Sequence, residues 1–89
     1  MVDKIFFSED AKRDIYRTKC LYDLAQKGDA FLDDIFNTLE VVKLMPEAFQ
    51  VRYDSVRLIA LEHFNFTLHY EISNDEIKVW RVLHQHQSY

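Results

Sequence analysis

The residues best suited to chemistry gather at the C-terminus of the chain. Arg81, His84, His86 and Tyr89 lie within its last nine residues. Histidine and tyrosine side chains transfer protons, and an arginine stabilises charge that develops on a phosphate. Arg57 would lie near this cluster if the segments that hold them shared one face of a sheet. These residue types suit either the active site of a nuclease or the contact surface of a binding protein.

The same C-terminal segment does not indicate a metal site. His84 and His86 are two residues apart, so on a strand they point to the same side. A protein metal site normally needs at least three ligands, and the neighbouring sequence offers no third one. Cys20 has no histidine nearby. We therefore expect no metal and no cofactor.

Composition places the chain among small globular proteins. Its 89 residues are 48% hydrophobic and 15% aromatic, which suits a single domain over residues 1–89. The lone Cys20 cannot form an internal disulfide. The N-terminus lacks a secretory signal, and the longest apolar run, Leu58–Leu61, is too short to span a membrane. We expect a cytoplasmic protein without membrane contact.

The charge balance argues against a large nucleic-acid interface. The chain has 11 Lys and Arg against 15 Asp and Glu, a net charge of -4, and neither half forms a basic arm. Phosphate contacts dominate affinity for nucleic acids, so an RNA or DNA role would need basic residues that cluster only in the fold.

The second half of the chain predicts an antiparallel sheet. Four β-favouring runs are separated by short turns: Phe49–Tyr53, Val56–Glu62, Phe66–Ile72 and Ile77–His84. Connections this short join antiparallel neighbours. The second run is apolar on both faces, with Arg57 as its conspicuous exception, so we place it in the middle of the sheet.

Alternation along the strands predicts which side chains face the core. One side of the third run is apolar: Phe66, Leu68, Tyr70 and Ile72. His69 lies on its other side, so we expect it to face solvent. The fourth run divides into two sets, Ile77, Val79, Arg81 and Leu83 against Lys78, Trp80, Val82 and His84. We expect function on the face that the helices leave uncovered.

The first half predicts a short strand and a first helix. Met1–Phe7 leans towards a strand, and Ser8 followed by acidic residues fits a helix N-cap. Apolar periodicity extends this helix over Glu9–Lys27, with the Lys and Arg residues on a solvated face. Gly28 predicts its C-cap.

A second helix follows at once, with Asp29 as its predicted N-cap and Pro46 at its end. Its apolar stripe is Phe31, Ile35, Leu39 and Val42. The predicted fold class is α+β, a helical hairpin packed on one face of a four- or five-stranded antiparallel sheet.

This arrangement resembles the RelE/ParE superfamily of toxins from bacterial type II toxin–antitoxin systems. Four pieces carry the resemblance: FSEDAKRDI at Phe7–Ile15, the closing Pro46, VRLIALEHFNFTLHYEI at Val56–Ile72, and IKVWRVLH at Ile77–His84. They follow one another in the family's order over most of the chain.

The resemblance implies a toxin of the kind linked to growth inhibition and plasmid stabilization, held inactive by a cognate antitoxin protein in a hetero-oligomer. ParE-like members block DNA gyrase, and RelE-like members cleave mRNA on the ribosome. The negative charge favours the ParE-like reading, in which the protein is not an enzyme. An mRNA endoribonuclease and a degenerate, non-toxic member that only binds antitoxin remain the alternatives.

The resemblance also defines the candidate residues. A nuclease would draw its catalytic groups from Arg57, Arg81, His84 and Tyr89. A binding protein would draw its target contacts from a larger set, Arg52, Arg57, Tyr70, Lys78, Trp80, Arg81, His84 and His86. Each has a purely structural alternative: Arg57 as the partner of a buried carboxylate or carbonyl, Tyr70 and Trp80 as core aromatics.

Overall fold

The computed structural model describes residues 4–85 and gives seven elements. In chain order they are β1 (Lys4–Phe7), α1 (Glu9–Asp23), α2 (Gly28–Leu44), β2 (Val51–Tyr53), β3 (Val56–Ala60), β4 (Phe66–Ser73) and β5 (Glu76–His84). The strands form one sheet in the order β1-β5-β4-β3-β2. Side chains from both helices and from one face of this sheet make a single hydrophobic core. The predicted α+β fold, a helical hairpin on a sheet, is confirmed.

One edge of the sheet differs from the prediction of a wholly antiparallel arrangement. β1 pairs with β5 in parallel, from Lys4 opposite Glu76 to Phe7 opposite Val79. A parallel pair requires a long crossover, and here the helical hairpin and three strands separate the two partners in sequence. The predicted first strand also included residues 1–3, which lie outside the described residues.

The helical hairpin begins as predicted but turns earlier. The Ser8 hydroxyl accepts a hydrogen bond from the backbone N–H of Ala11 (3.0 Å), which confirms the N-cap. α1 then ends at Asp23, and Gln26 adopts the left-handed conformation (φ 59°) that the sequence had suggested for Gly28. The predicted helix end at Lys27 was therefore wrong.

Gly28 serves a different purpose, since it is the first residue of α2 rather than a C-cap. A Cβ atom at this position would meet the Asp23 side chain and would lie 3.1 Å from the Lys19 carbonyl oxygen, so the two helices approach each other closely here. Lys27, without a side-chain hydrogen bond, occupies the N-cap position that the sequence assigned to Asp29.

The buried stripe of α2 is confirmed, and both helices also bury a carboxylate. Phe31, Ile35, Leu39 and Val42 are all at most 1% exposed. Asp14 of α1 and Asp34 of α2 lie within the same buried stripes, at 8% and 2% exposure. Among residues 4–85, neither helix is long and apolar enough to cross a membrane.

A β-bulge in β5 changes which of its side chains face the helices. Tyr70 pairs with Val79, whereas His69 pairs with Arg81, so Trp80 is an extra residue on β5. The bulge breaks the two-residue period, and Val82 joins Ile77 and Val79 in the core. The predicted division of the fourth run into alternating sets was therefore wrong beyond Trp80.

Candidate functional site

The side of the sheet that faces away from the helices, the open face, carries an amphipathic patch at its β1–β5 edge. The register places Lys78 between Phe6 on β1 and Glu71 on β4. The indole N–H of Trp80 donates to the Glu71 carboxylate (3.0 Å), which draws the ring onto this face. Phe6 is 51% exposed. We call Phe6, Glu71, Lys78 and Trp80 the open-face patch.

Arg52 lies at the opposite edge of the open face. It lines a cavity of about 420 Å³ together with Gln50, Leu58, Ala60, Thr67 and Gln85. Its guanidinium lies 3.5 Å from the side-chain oxygen of Gln50. Since three strand steps separate β2 from β5, Arg52 is about 14 Å across the sheet from the open-face patch.

Arg81 is held by a buried carboxylate of the first helix. Its Nε donates to Asp14 Oδ2 (2.8 Å) and its Nη2 to Asp14 Oδ1 (3.2 Å). The backbone N–H of Val82 also donates to Asp14 Oδ2 (3.0 Å), just beyond the point where β1 stops pairing with β5. The hydrogen bond with Asp14 raises the pKa of Arg81, so the guanidinium is always charged. We call this contact the Asp14–Arg81 junction.

A cavity of about 260 Å³ lies beside this junction and joins two of the predicted residues. It is lined by Asp14, Arg17, Thr18, Phe66, Arg81, Val82, Leu83 and His84. The His84 ring packs edge-on against Phe66, with centroids 5.2 Å apart. The structure therefore brings Arg81 and His84 together, and it adds Arg17, which the sequence placed on the solvated face of α1.

His69 is buried, which contradicts the prediction that it faces solvent. Its side chain is 0% exposed, and its Nδ1 lies 2.9 Å from the Tyr53 hydroxyl. The strand alternation was right about the face, but Tyr53 on β2 covers the ring there. Burial lowers the pKa of His69, and the charge of Arg81 lowers it further, while Asp14 acts in the opposite direction. The imidazole is thus neutral at physiological pH.

Arg57 and Tyr70 lie on the helix-facing side of the sheet, apart from the other candidates. They pair directly across β3 and β4. Arg57 donates to the carbonyls of Glu47 (3.4 Å) and Phe49 (2.5 Å), and the Tyr70 hydroxyl donates to the Pro46 carbonyl (3.2 Å). Burial raises the pKa of Tyr70 to about 12, so it stays protonated. Both side chains therefore hold in place residues 46–49, the segment that follows α2.

The predicted residues therefore do not form one cluster. Lys78 and Trp80 lie in the open-face patch, Arg81 and His84 line the cavity at the junction, and Arg52 is at the far edge. Arg57 and Tyr70 are on the other side of the sheet. His86 and Tyr89 lie outside the described residues.

Both the sequence and the fold are similar to those of known proteins. A family model described as ParE toxin of type II toxin-antitoxin system, parDE, matches residues 5–89. The chain belongs to the ParE toxin family. A solved structure of the chromosomal ParDE TA system from P. aeruginosa matches 93% of this chain and 96% of its own, with a TM-score of 0.67 and 17% identity. This likeness shows that the ParE fold is shared. Comparison with curated protein sequences gives no significant match.

Sequence reasoning missed residues of this ParE fold that hold other side chains in place: Asp14, which binds Arg81, and the contacting pair Tyr53 and His69. Asp14 lies three residues after Ala11 and four before Thr18, in the middle of the buried stripe of α1. A carboxylate at such a position signals a buried partner. Tyr53 and His69 gave no comparable signal, because their contact joins β2 to β4 across the intervening β3.

Proposed function

We propose that this chain is a toxin that binds a DNA gyrase-type target protein through its open-face patch and is neutralised by a cognate antitoxin. The carrying observation is the separation of its arginines. Arg57 points to the helix-facing side and donates to backbone carbonyls, whereas Arg81 is bound to Asp14. A ribonuclease must direct several cations at one phosphate, and this arrangement divides them.

Charge and protonation support the same proposal. The Asp14 carboxylate pairs with the Arg81 guanidinium, and this pairing weakens the attraction of Arg81 for an RNA phosphate. The high pKa of Tyr70 makes its hydroxyl a poor general base. By contrast, the open-face patch combines two aromatic side chains with one residue of each charge, and Trp is enriched at interface hot spots. Such a target places the protein in the cytoplasm.

A second surface, on the helices, suits an antitoxin segment. An apolar groove of about 250 Å³ is lined by Phe7, Lys12, Ile15, Tyr16, Lys19 and Phe36. Tyr16 is 71% and Phe36 55% exposed. Exposed aromatics beside an apolar groove are typical of sites where an amphipathic helix docks. We propose that the antitoxin covers this groove, which we call the helical groove.

The two surfaces can be tested against each other. Trp80→Ala is expected to weaken inhibition of gyrase supercoiling by roughly 30-fold, the equivalent of about 2 kcal/mol for a central anchor. Tyr16→Ala, which removes an exposed aromatic side chain of α1, is expected to leave that inhibition unchanged and to weaken antitoxin binding instead. Circular dichroism melting of both variants controls for folding. Equal loss of gyrase inhibition in both variants, or none with Trp80→Ala, contradicts the assignment.

An mRNA endoribonuclease is the second candidate, and the junction cavity favours it. Arg17, Arg81 and His84 line this space together, and they are residue types that phosphate chemistry uses. Under this alternative, ribosomes supplied with the protein yield cleaved mRNA, and gyrase is unaffected.

Growth measurements separate both candidates from a degenerate member of the family. Inducible expression without a partner is expected to slow bacterial growth, and co-expression of the antitoxin is expected to restore it. Normal growth despite strong soluble expression contradicts both toxic activities.

A further inference from the structure

A second buried carboxylate, Asp34, fastens α2 to the corner between β3 and β4. Its Oδ2 accepts hydrogen bonds from the backbone N–H groups of His63 (2.9 Å) and Phe64 (3.1 Å). Asp34 is only 2% exposed. Its other oxygen, Oδ1, is fully buried and has no hydrogen-bond partner among residues 4–85. A buried carboxylate oxygen is costly in that state unless a cation or a donor completes its coordination.

Two further metal-ligating side chains lie beside this carboxylate. Ligand atoms of Asp34, Glu62 and His63 all lie within 4.8 Å of one another. His63 Nε2 is 3.8 Å from Glu62 Oε2. The two corner side chains are 69% and 78% exposed for His63 and Glu62 respectively, so their rotamers can adjust around an ion while Asp34 stays fixed.

We propose that Asp34, Glu62 and His63 form a zinc site between α2 and the β3–β4 corner. One imidazole and two carboxylates are a ligand set that binds Zn²⁺ with a fourth position left for water. The imidazole selects against Mg²⁺ and Ca²⁺, which prefer oxygen ligands alone. The ion supplies the positive charge that the buried carboxylate lacks, and it ties the corner to the helix. This site is separate from the target-binding and antitoxin surfaces and does not depend on them.

The spacing of the ligands explains why the sequence did not reveal this site. Glu62 and His63 are adjacent, but Asp34 comes from the buried stripe of α2, 29 residues before His63. Only the fold brings them together. The histidine pair that the sequence did offer, His84 and His86, belongs to another part of the chain.

Isothermal titration of tag-free, EDTA-stripped full-length protein with ZnCl₂ tests the proposal. We expect one Zn²⁺ per chain, and a melting temperature raised by about 10 °C or more at saturating zinc. His63→Ala and Glu62→Gln are expected to weaken binding by about tenfold or more, and both change exposed side chains, so the variants fold normally. The same variants are expected to lose the zinc-induced rise in melting temperature.

Two control variants and two control ions make the result specific. His84→Gln tests the other histidine pair, Glu40→Gln tests an exposed carboxylate of the same helix, and both are expected to bind Zn²⁺ like the wild type. Mg²⁺ and Ca²⁺ are expected not to compete. Absence of zinc binding, unchanged binding by His63→Ala, or loss of binding in His84→Gln overturns the site.

Discussion

The two helix–sheet junctions of this protein are built on the same plan but completed differently. At each one, an aspartate in the buried stripe of a helix accepts backbone hydrogen bonds from the sheet, Asp14 from Val82 and Asp34 from the β3–β4 corner. Asp14 also binds a guanidinium through both of its oxygens. Asp34 forms no ion pair with any residue in 4–85 and keeps one oxygen without a hydrogen bond.

This difference in pairing suggests different roles: Asp14 makes a structural contact, whereas Asp34 can act as a metal ligand. A charge that is paired inside the protein has little capacity left for an outside partner, whereas an incompletely coordinated one retains it. On this reasoning we propose that Arg81 mainly fastens α1 to β5, and that its pairing with Asp14 weakens its attraction for a phosphate. Asp34, unlike Asp14, still has an oxygen available to bind a cation.

The largest expected effect comes from breaking the completed junction. Asp14→Ala leaves the buried Val82 N–H without its acceptor and Arg81 without its partner, so we expect the free energy of unfolding to fall by about 3 kcal/mol. Urea denaturation measures this loss. Asp10→Ala is the matched control, because Asp10 lies on the same helix in an exposed pair with Arg13 and should cost at most about 0.5 kcal/mol. Similar losses in both variants contradict the role of the junction.

The second junction is expected to be weaker in the absence of metal. Asp34→Ala loses two hydrogen bonds but also removes a buried carboxylate that no cation compensates, so we expect a loss of about 2 kcal/mol in EDTA. The neighbouring Asp33, which is exposed, gives the control variant Asp33→Ala. A larger loss for Asp34→Ala than for Asp14→Ala reverses the proposed order of the two junctions.

A smaller effect is expected from pH, through the histidine that lies behind the first junction. The pKa of His69 is lowered in the folded protein, so the unfolded chain takes up a proton first as pH falls. Stability is therefore complete above about pH 6.5 and declines as pH drops towards the lowered folded value. Unfolding in urea across this range should show that slope in the wild type and a shallower one in His69→Gln. With EDTA present to keep the protein free of metal, the exposed His63 supplies the control, His63→Gln, and equal slopes in all three proteins refute the role of His69.

The comparison also shows what the sequence could and could not predict. The four-run sheet, the stripe of α2 and the Ser8 cap follow from local periodicity and capping, which act over a few residues. The side chains after Trp80 were assigned to the wrong faces because the bulge at this residue resets the alternation of β5. His69 was wrongly predicted to face solvent because its burial depends on Tyr53. This tyrosine belongs to β2, which is separated from the strand of His69 by β3. Sites assembled from distant elements leave no such local pattern.

Translating ribosomes offer the most direct test of the claim that this ParE-family protein binds its target without cleaving RNA. Purified wild-type protein is added to a translation reaction, and mRNA ends are mapped by primer extension. We expect no codon-specific cleavage, because Arg81 is bound to Asp14 and Arg57 faces the other side of the sheet. Cleavage by the wild type that is lost in Arg81→Ala or His84→Ala, while both variants remain folded, would contradict the claim and make the protein an enzyme.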